Sequence, residues 1–278
     1  MAKPLADWTG KAAIITGGSS GIGKALAKRL VQQGANVAIV ARDPEKLALA
    51  QQEIVAYCRR ADQQVCIYSA DVSDRLQAET AIQAAIAALG SPALLVTCAG
   101  IAHPGYFQDL PIEIFERTMA INYFGSLYCI RAVVPAMMAQ GQGQIAMISS
   151  GAGLIGIYGY TPYSPSKFAL RGLAESLRGE LKPMGIGVSI VYPPDTDTPQ
   201  LVEENKTKPP ETKRITATAE TWSADGVARE IMTGLQKQAF TIAPGTEMSV
   251  LAKLHSVIAP GLNWYFDRMV REVRGSRE

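Results

Sequence analysis

Histidine and cysteine are scarce in this 278-residue chain: two histidines, His103 and His255, and four cysteines, at 58, 66, 98 and 129. Neither type recurs at metal-ligand spacing and no CxxC occurs, which argues against a zinc site or a disulfide framework. The cysteines read as small apolar residues in a reducing compartment, and the chain as cytoplasmic. An excess of one charge is missing as well. Lys plus Arg number 27 and Asp plus Glu 25, a net +2, so no basic field points to nucleic acid. No run of 18 apolar residues appears, so no segment reads as a bilayer-spanning helix. Met1 to Lys11 carries Lys3 and Asp7 and lacks an apolar centre; it reads as neither a signal peptide nor a membrane anchor.

What is present is a globular composition, 47% hydrophobic and 19% charged, at a length one large α/β domain reaches. Ala12 to Thr16 is a short apolar run with β-branched residues and reads as a buried parallel strand. Gly17-Gly18-Ser19-Ser20-Gly21-Ile22-Gly23 follows, and then a helical pattern from Lys24 to Gln33. Strand, glycine loop and helix in that order turn backbone N–H groups and a helix N-terminus toward a pyrophosphate. The pattern is GxxxGxG, not GxGxxG, and a loop of this kind also serves as a plain tight turn needing positive φ.

Asn36 to Ala41 reads as the second strand. A carboxylate at its end would suit the ribose hydroxyl of NAD; here Ala41-Arg42 stands instead, and a guanidinium suits the 2′-phosphate of NADP. Asp43 is the rival acid, but Asp43-Pro44-Glu45 has the form of a helix cap followed by Pro at the first helical position. Beyond it the spacing predicts a helix over 44–60, a strand over 64–70 ending at Asp71-Val72, a helix over 73–89 capped by Ser73, and a strand over 93–98 closing on Ala99-Gly100. This alternation predicts a parallel sheet with helices on both faces and ligands at the carboxyl ends of its strands.

In the second half, Ile112 to Met138 is one long apolar-periodic stretch holding Asn122, whose amide needs partners, for instance across a helix pair. Gln144 to Ile148 is a fifth strand ending at Ser149-Ser150, and Gly187 to Tyr192 a sixth. Between them a helix runs from Tyr163 through Leu181. Tyr163 and Lys167, four apart, share one helix face. A cation close to a phenol lowers its pKa, and a tyrosine tuned toward neutrality serves as a general acid or base. Such pairs also arise on ordinary amphipathic helices.

Taken together, Thr16-Gly17 through Gly23, Asn122, Ser150 and Tyr163 with Lys167 resemble the motif set of the short-chain dehydrogenase/reductase family, over roughly residues 11–243. The resemblance implies a Rossmann-type doubly wound parallel sheet of about seven strands with helices on both faces. It implies a catalytic group in which Tyr163 gives a proton to a ketone, Lys167 lowers its pKa and holds the nicotinamide ribose, Ser150 binds the substrate oxygen and Asn122 anchors a water. NADPH/NADP contacts would come from Gly17, Ser19, Ser20, Gly21, Ile22, Gly23, Arg42, Asp71, Val72, Ala99, Gly100, Tyr163, Lys167, Pro193, Thr196 and Thr198, with no metal. Spacing to Tyr163 favours Ser150 over Ser149. Thr97-Cys98 departs from the usual Asn two before Ala99, and Pro193-Pro194 replaces Pro-Gly. Family members usually pair through the helices bearing Asn122 and Tyr163, so a homodimer or homotetramer is expected.

Within that family a closer resemblance is to the 3-ketodihydrosphingosine reductases. It is carried by Gly17 to Lys24, Val40-Ala41-Arg42, Ser164 to Ala174, Tyr192-Pro193-Pro194-Asp195-Thr196-Asp197-Thr198-Pro199 and Glu203 to Pro209. It implies a lipid-like ketone with a long alkyl tail and an amine, for which Asp195 or Asp197 is a partner, unless they merely cap turns. A general ketoreductase acting on steroids, acyl thioesters or xenobiotics, and a non-catalytic NADP-sensing protein, are the contrasting readings. The expected organisation is a single domain over 1–278 with a substrate-loop insertion at 195–220 and a C-terminal helical extension at 246–278. Lys206, Lys208, Lys213 and Arg214 in the insertion either face an anionic membrane or are simply solvated. In the extension, Pro260-Gly261 predicts two short helices. Leu262, Trp264, Tyr265, Phe266, Met269 and Val270 there form an apolar face for a membrane interface or a protein neighbour.

Overall fold

A seven-stranded parallel sheet of short, mostly apolar strands forms the centre of the fold. A computed structural model describes residues 7–217 and 220–275. In it β1 (Ala12–Thr16), β2 (Asn36–Ala41), β3 (Val65–Ser69), β4 (Leu94–Thr97), β5 (Gly143–Ile148) and β6 (Ile186–Val191) form a parallel sheet, joined at its edge by β9 (Thr241–Ile242). The order across it is β3-β2-β1-β4-β5-β6-β9. Because successive side chains alternate, each strand feeds two cores. Ala13, Ile15, Val37, Ile39, Leu94 and Val96 face one layer of helices. Ile14, Ala38, Val40, Leu95, Ile145 and Met147 face the other. Each fully buried Ile or Leu contributes roughly 1.5–3 kcal/mol over exposure, which suffices to fix this register.

The first layer is α1 (Gly21–Gln32), α2 (Pro44–Val55) and α9 (Ala224–Gln236); the second holds α3 (Arg75–Leu89), α5 (Gly125–Gln140) and α6 (Tyr163–Leu181). The expected doubly wound sheet is therefore present. Strand order reverses between β1 and β4, and that switch point is where Gly17 and Ala99 meet. Gly17 has φ +69°, and a Cβ there would lie 2.7 Å from the Ala99 nitrogen, so only glycine fits.

Four local expectations need correction. The helix after β2 stops at Val55, not Arg60. The helix after β3 is capped by Asp74, which accepts from Gln77 N–H at 3.0 Å, because Asp71 takes both the N–H and the hydroxyl of Ser73. The stretch after Ile112 is not one helix. A π-helical turn at Ala120–Phe124 separates α4 (Ile112–Met119) from α5. Finally, Pro260 does not split the C-terminal segment: α10 runs from Gly245 to Gly275. Proline's fixed φ is compatible with a helix and removes one N–H bond. The segment is fastened on both sides of it, by buried Met248 and Met269 and by ion pairs of Arg214 with Glu272 (3.8 Å) and Arg274 with Glu211 (3.6 Å).

The polar stretch after β6 is structured. It contains β7 (Thr196–Asp197), α7 (Pro199–Thr207), α8 (Pro210–Thr216) and β8 (Trp222–Ser223). Residues 1–6 of the N-terminal stretch, 218–219 of the insertion and 276–278 of the C-terminal extension lie outside the described residues. Among the described residues no helix is long and apolar enough to cross a membrane.

Candidate active site

Tyr163 opens α6, and its first turn is locked before any ligand arrives. The Ser166 hydroxyl donates to the Tyr163 carbonyl (2.7 Å), and the Ser149 hydroxyl donates to the Lys167 carbonyl (3.1 Å). Ser149 is thus a brace, while Ser150, one residue on, lines the cleft beside the Tyr163 hydroxyl. The alternation of residues at the end of β5 makes the distinction. Lys167 reaches back under Tyr163. Its ammonium donates to the Ile148 carbonyl at 2.9 Å and lies 5.4 Å from the Tyr163 ring centroid.

Asn122 sits fully buried in the π-helical turn. Its Oδ1 accepts from Ile101 N–H (2.8 Å), and its Nδ2 donates to the Ile101 carbonyl (3.0 Å) and to the Ser166 hydroxyl (2.9 Å). It therefore ties the exit of β4 to the helix that carries Tyr163. The bond to Ser166 is also the helix–helix contact that the sequence left open. A π-turn widens the helix locally, and such turns recur at functional positions. A Cβ on Gly100 would lie 3.2 Å from Asn122 Oδ1 and 3.5 Å from Lys167 Nζ, so these two polar ends flank one small space.

The electrostatics correct one expectation. Tyr163 was expected to have a lowered pKa because of Lys167. In the folded chain its burial raises that pKa well above the ordinary value. The Glu204 carboxylate acts in the same direction, as does Asp195, against hydrogen bonds from Ser150 and Gln200. Pair spacing within one helix could not report burial or an acid on α7. Lys167 moves the opposite way: burial brings its ammonium down to about 8, opposed by Cys98 and Glu204. Burial likewise pushes the Cys98 thiol up to about 11, which leaves it a neutral wall residue.

A cleft of about 240 Å³ runs from the glycine loop past Ala99, Gly100, Ser150 and Tyr163 to Pro193, Thr196, Thr198 and Glu204. Gly17, Ser19, Ser20, Ala99 and Gly100 also line a second hollow of about 220 Å³, completed by Arg42, Asp43, Lys46, Asp71 and Val72. Every residue singled out from the sequence as a cofactor contact, apart from Gly23, lines one of the two hollows. Gly23 instead packs against the loop: a Cβ there would collide with the Gly17 carbonyl. Asp43 caps α2, accepting from Glu45 and Lys46 N–H groups at 3.0 Å each. Its carboxylate is thereby held down below its usual range, the Lys46 N–H being the main cause. Arg42 lies 3.8 Å from Asp71, half exposed at the mouth. Lys46, a further cation in this hollow, escaped the sequence reading because it looked like an ordinary first-turn surface residue.

A family model for short chain dehydrogenases matches residues 11–209. The chain belongs to that family. This short-chain dehydrogenase is 44% identical over 259 residues to the bovine 3-ketodihydrosphingosine reductase, covering 93% of this chain and 78% of the relative. It is 40% identical to the 3-ketodihydrosphingosine reductase of Dictyostelium discoideum, covering 92% and 80%. Among solved structures, a dehydrogenase/reductase from Sinorhizobium meliloti matches with TM-score 0.73 at 31% identity, covering 85% and 94%. A short-chain dehydrogenase/reductase from Burkholderia phymatum has the same fold, with TM-score 0.79 at 23% identity over 90% and 93%. The dehydrogenase is thus an oxidoreductase enzyme built for a nicotinamide cofactor. Its own residues fit that group: Gly17 keeps the backbone bare against Ala99 at the switch point, and both hollows meet there. Of the two acids after β6, Asp195 lines the cleft and Asp197 is exposed outside it.

Proposed function

We propose that this enzyme uses NADPH to reduce the 3-keto group of 3-ketodihydrosphingosine to a secondary alcohol. The observation that carries the reading is one cleft joining Ser150, Tyr163 and Lys167 to a hollow with two cations, Arg42 and Lys46, at its far end. Arg42 and Lys46 would hold the 2′-phosphate, while Asp43, occupied as a cap, does not compete for a ribose hydroxyl. The bound nicotinamide supplies the hydride. Ser150 and Tyr163 take the carbonyl oxygen, and Tyr163 gives up its proton as negative charge develops there. Its raised pKa keeps that proton in place until the oxygen becomes basic. The Lys167 ammonium then faces the phenolate. The names of the similar reductases supply the choice of ketone.

The enzyme also suits a homodimer through α5 and α6. Phe124, in the π-turn leading into α5, and Phe168, on α6, are about 40% exposed, with Phe124 stacked on Tyr128 at 6.1 Å. Peripheral contact with a membrane is supported by α10, where Val250, Leu254, Val257 and Trp264 are exposed on turns of one helix. In the insertion, Lys206 pairs with Glu203 and Lys208 is buried, so neither supports an anionic surface. Incubation with NADPH and 3-ketodihydrosphingosine, followed by mass spectrometry, tests the activity. The expected product is two hydrogens heavier. Absence of product, with other ketones reduced, would assign the chain to a different substrate.

A further inference from the structure

α7 carries a carboxylate that the proton chemistry above does not need. Glu204 is buried to 9% exposure and lines the same cleft as Ser150 and Tyr163. Its two oxygens accept from the Tyr160 hydroxyl and the Gln200 amide, each at 2.9 Å. Both donors are neutral, and no Lys or Arg forms an ion pair with it among the described residues. A carboxylate has about four acceptor positions, so this one has capacity to spare. The Lys167 ammonium acts on this carboxylate only from a distance, so a cation entering the cleft gives it the direct charged partner it lacks. It is also close to the chemistry: the Tyr160 and Tyr163 rings are 5.6 Å apart, and Glu204 acts on the ionisation of both.

We propose that Glu204 receives the ammonium of an amino ketone whose carbonyl oxygen lies between Ser150 and Tyr163. This rests on the reading of the enzyme as a reductase of a 2-amino-3-ketone. In such a substrate the amine is on the carbon next to the carbonyl, and the tyrosine that holds Glu204 packs directly against the one that faces the carbonyl. Tyr160 and Gln200 orient the carboxylate, and Asp195, which also lines the cleft, adds negative potential. The bound ammonium also cancels the field that opposes ionisation of Tyr163, so the amine acts on the same tyrosine that protonates its neighbouring ketone. The cleft therefore selects an amino ketone over a plain or N-acylated one.

The test compares 3-ketodihydrosphingosine with the same chain bearing hydrogen in place of the amine, in the wild type and in Glu204→Gln. Glutamine keeps an acceptor for Tyr160 and removes the charge, and Gln200 can meet the new NH2 group by turning its own amide. The wild type is expected to favour the amino ketone. The variant should lose about 100-fold in kcat/KM on it, the scale for stripping one partner from a buried charge pair, while the des-amino ketone shows no loss and gains wherever the Glu204 field had opposed ionisation of Tyr163. Equal losses on both ketones, or no loss on the amino ketone, overturn the proposal, and Glu204 is then only a strut for α7. Should the variant fail to fold, inhibition of the wild type decides: the amine product is expected to inhibit at least tenfold more strongly than its des-amino counterpart, and equal inhibition refutes the ammonium site. A wild type that reduces neither C18 ketone but reduces other ketones overturns the substrate reading instead.

Discussion

The Lys167 ammonium donates to the Ile148 carbonyl at 2.9 Å while lying 5.4 Å from the Tyr163 ring centroid, so a single side chain joins the end of β5 to the first turn of α6. The cation is buried for this purpose, and its burial has a measurable consequence. Its folded pKa falls from 10.5 to about 8. For a depressed group, stability is fully present above the unfolded value and is lost as pH falls to the folded one. The penalty from Lys167 is therefore complete below about pH 8, on the order of 3 kcal/mol, and absent above about 10.5. Without added cofactor, Lys167→Met should be the more stable protein at pH 7. Its advantage should shrink as pH rises from 8 to 10.5. Denaturant melts across that range test this, and a constant difference would show that the ammonium is not desolvated.

Tyr163→Phe removes only the hydroxyl that faces Ser150 and Gln200. Turnover is expected to fall by about 10³-fold or more, given the usual range for a positioned acid. Binding of NADPH, followed by its fluorescence, should be retained. Substantial turnover in this variant would move the proton donor elsewhere.

At the other end of the cleft, Arg42→Ala deletes one of two cations around the expected 2′-phosphate. A charge-assisted hydrogen bond to phosphate contributes about 1.5–3 kcal/mol, or roughly 10- to 100-fold in affinity. The Kd for NADPH should rise by that factor and the Kd for NADH by much less. Lys46→Ala should give a smaller effect of the same kind. Equal weakening of both cofactors would place Arg42 outside phosphate recognition.

The sheet was legible because parallel strands buried on both faces appear as short runs of β-branched residues. The loops at their carboxyl ends then fall together by topology alone. Ala12–Thr16 and Asn36–Ala41 begin and end where the sequence pattern does. Contacts made across the fold were not legible. The π-turn at Asn122 depends on the Ile101 backbone, 21 residues earlier. Glu204 stood in a polar helix with Gln200 four residues before it, which signals a helix-surface pair; its burial comes from Tyr160, 44 residues away. Periodicity also overvalued Pro260, since ion pairs beyond it hold α10 together. The Tyr163 ionisation had the wrong sign for the same reason, because the burial that decides it, and the carboxylates that add to it, come from other elements.

Ser149 and Ser150 are chemically identical neighbours with opposite orientations, and substituting each by alanine separates their roles. Ser149 is buried and donates to the Lys167 carbonyl at 3.1 Å, so Ser149→Ala should cost about 1 kcal/mol of stability and change kcat only a few-fold. Ser150 accepts from Ala152 N–H at 3.2 Å and faces the Tyr163 hydroxyl across the cleft. Ser150→Ala should leave the melting midpoint within about 2 °C while lowering kcat/KM by about 10²-fold, the usual effect of removing one donor to a developing oxyanion. Thermal melts and steady-state kinetics on the two variants check both halves. If Ser149→Ala were the inactive one and Ser150→Ala the unstable one, the end of β5 would be turned by one residue from the register described.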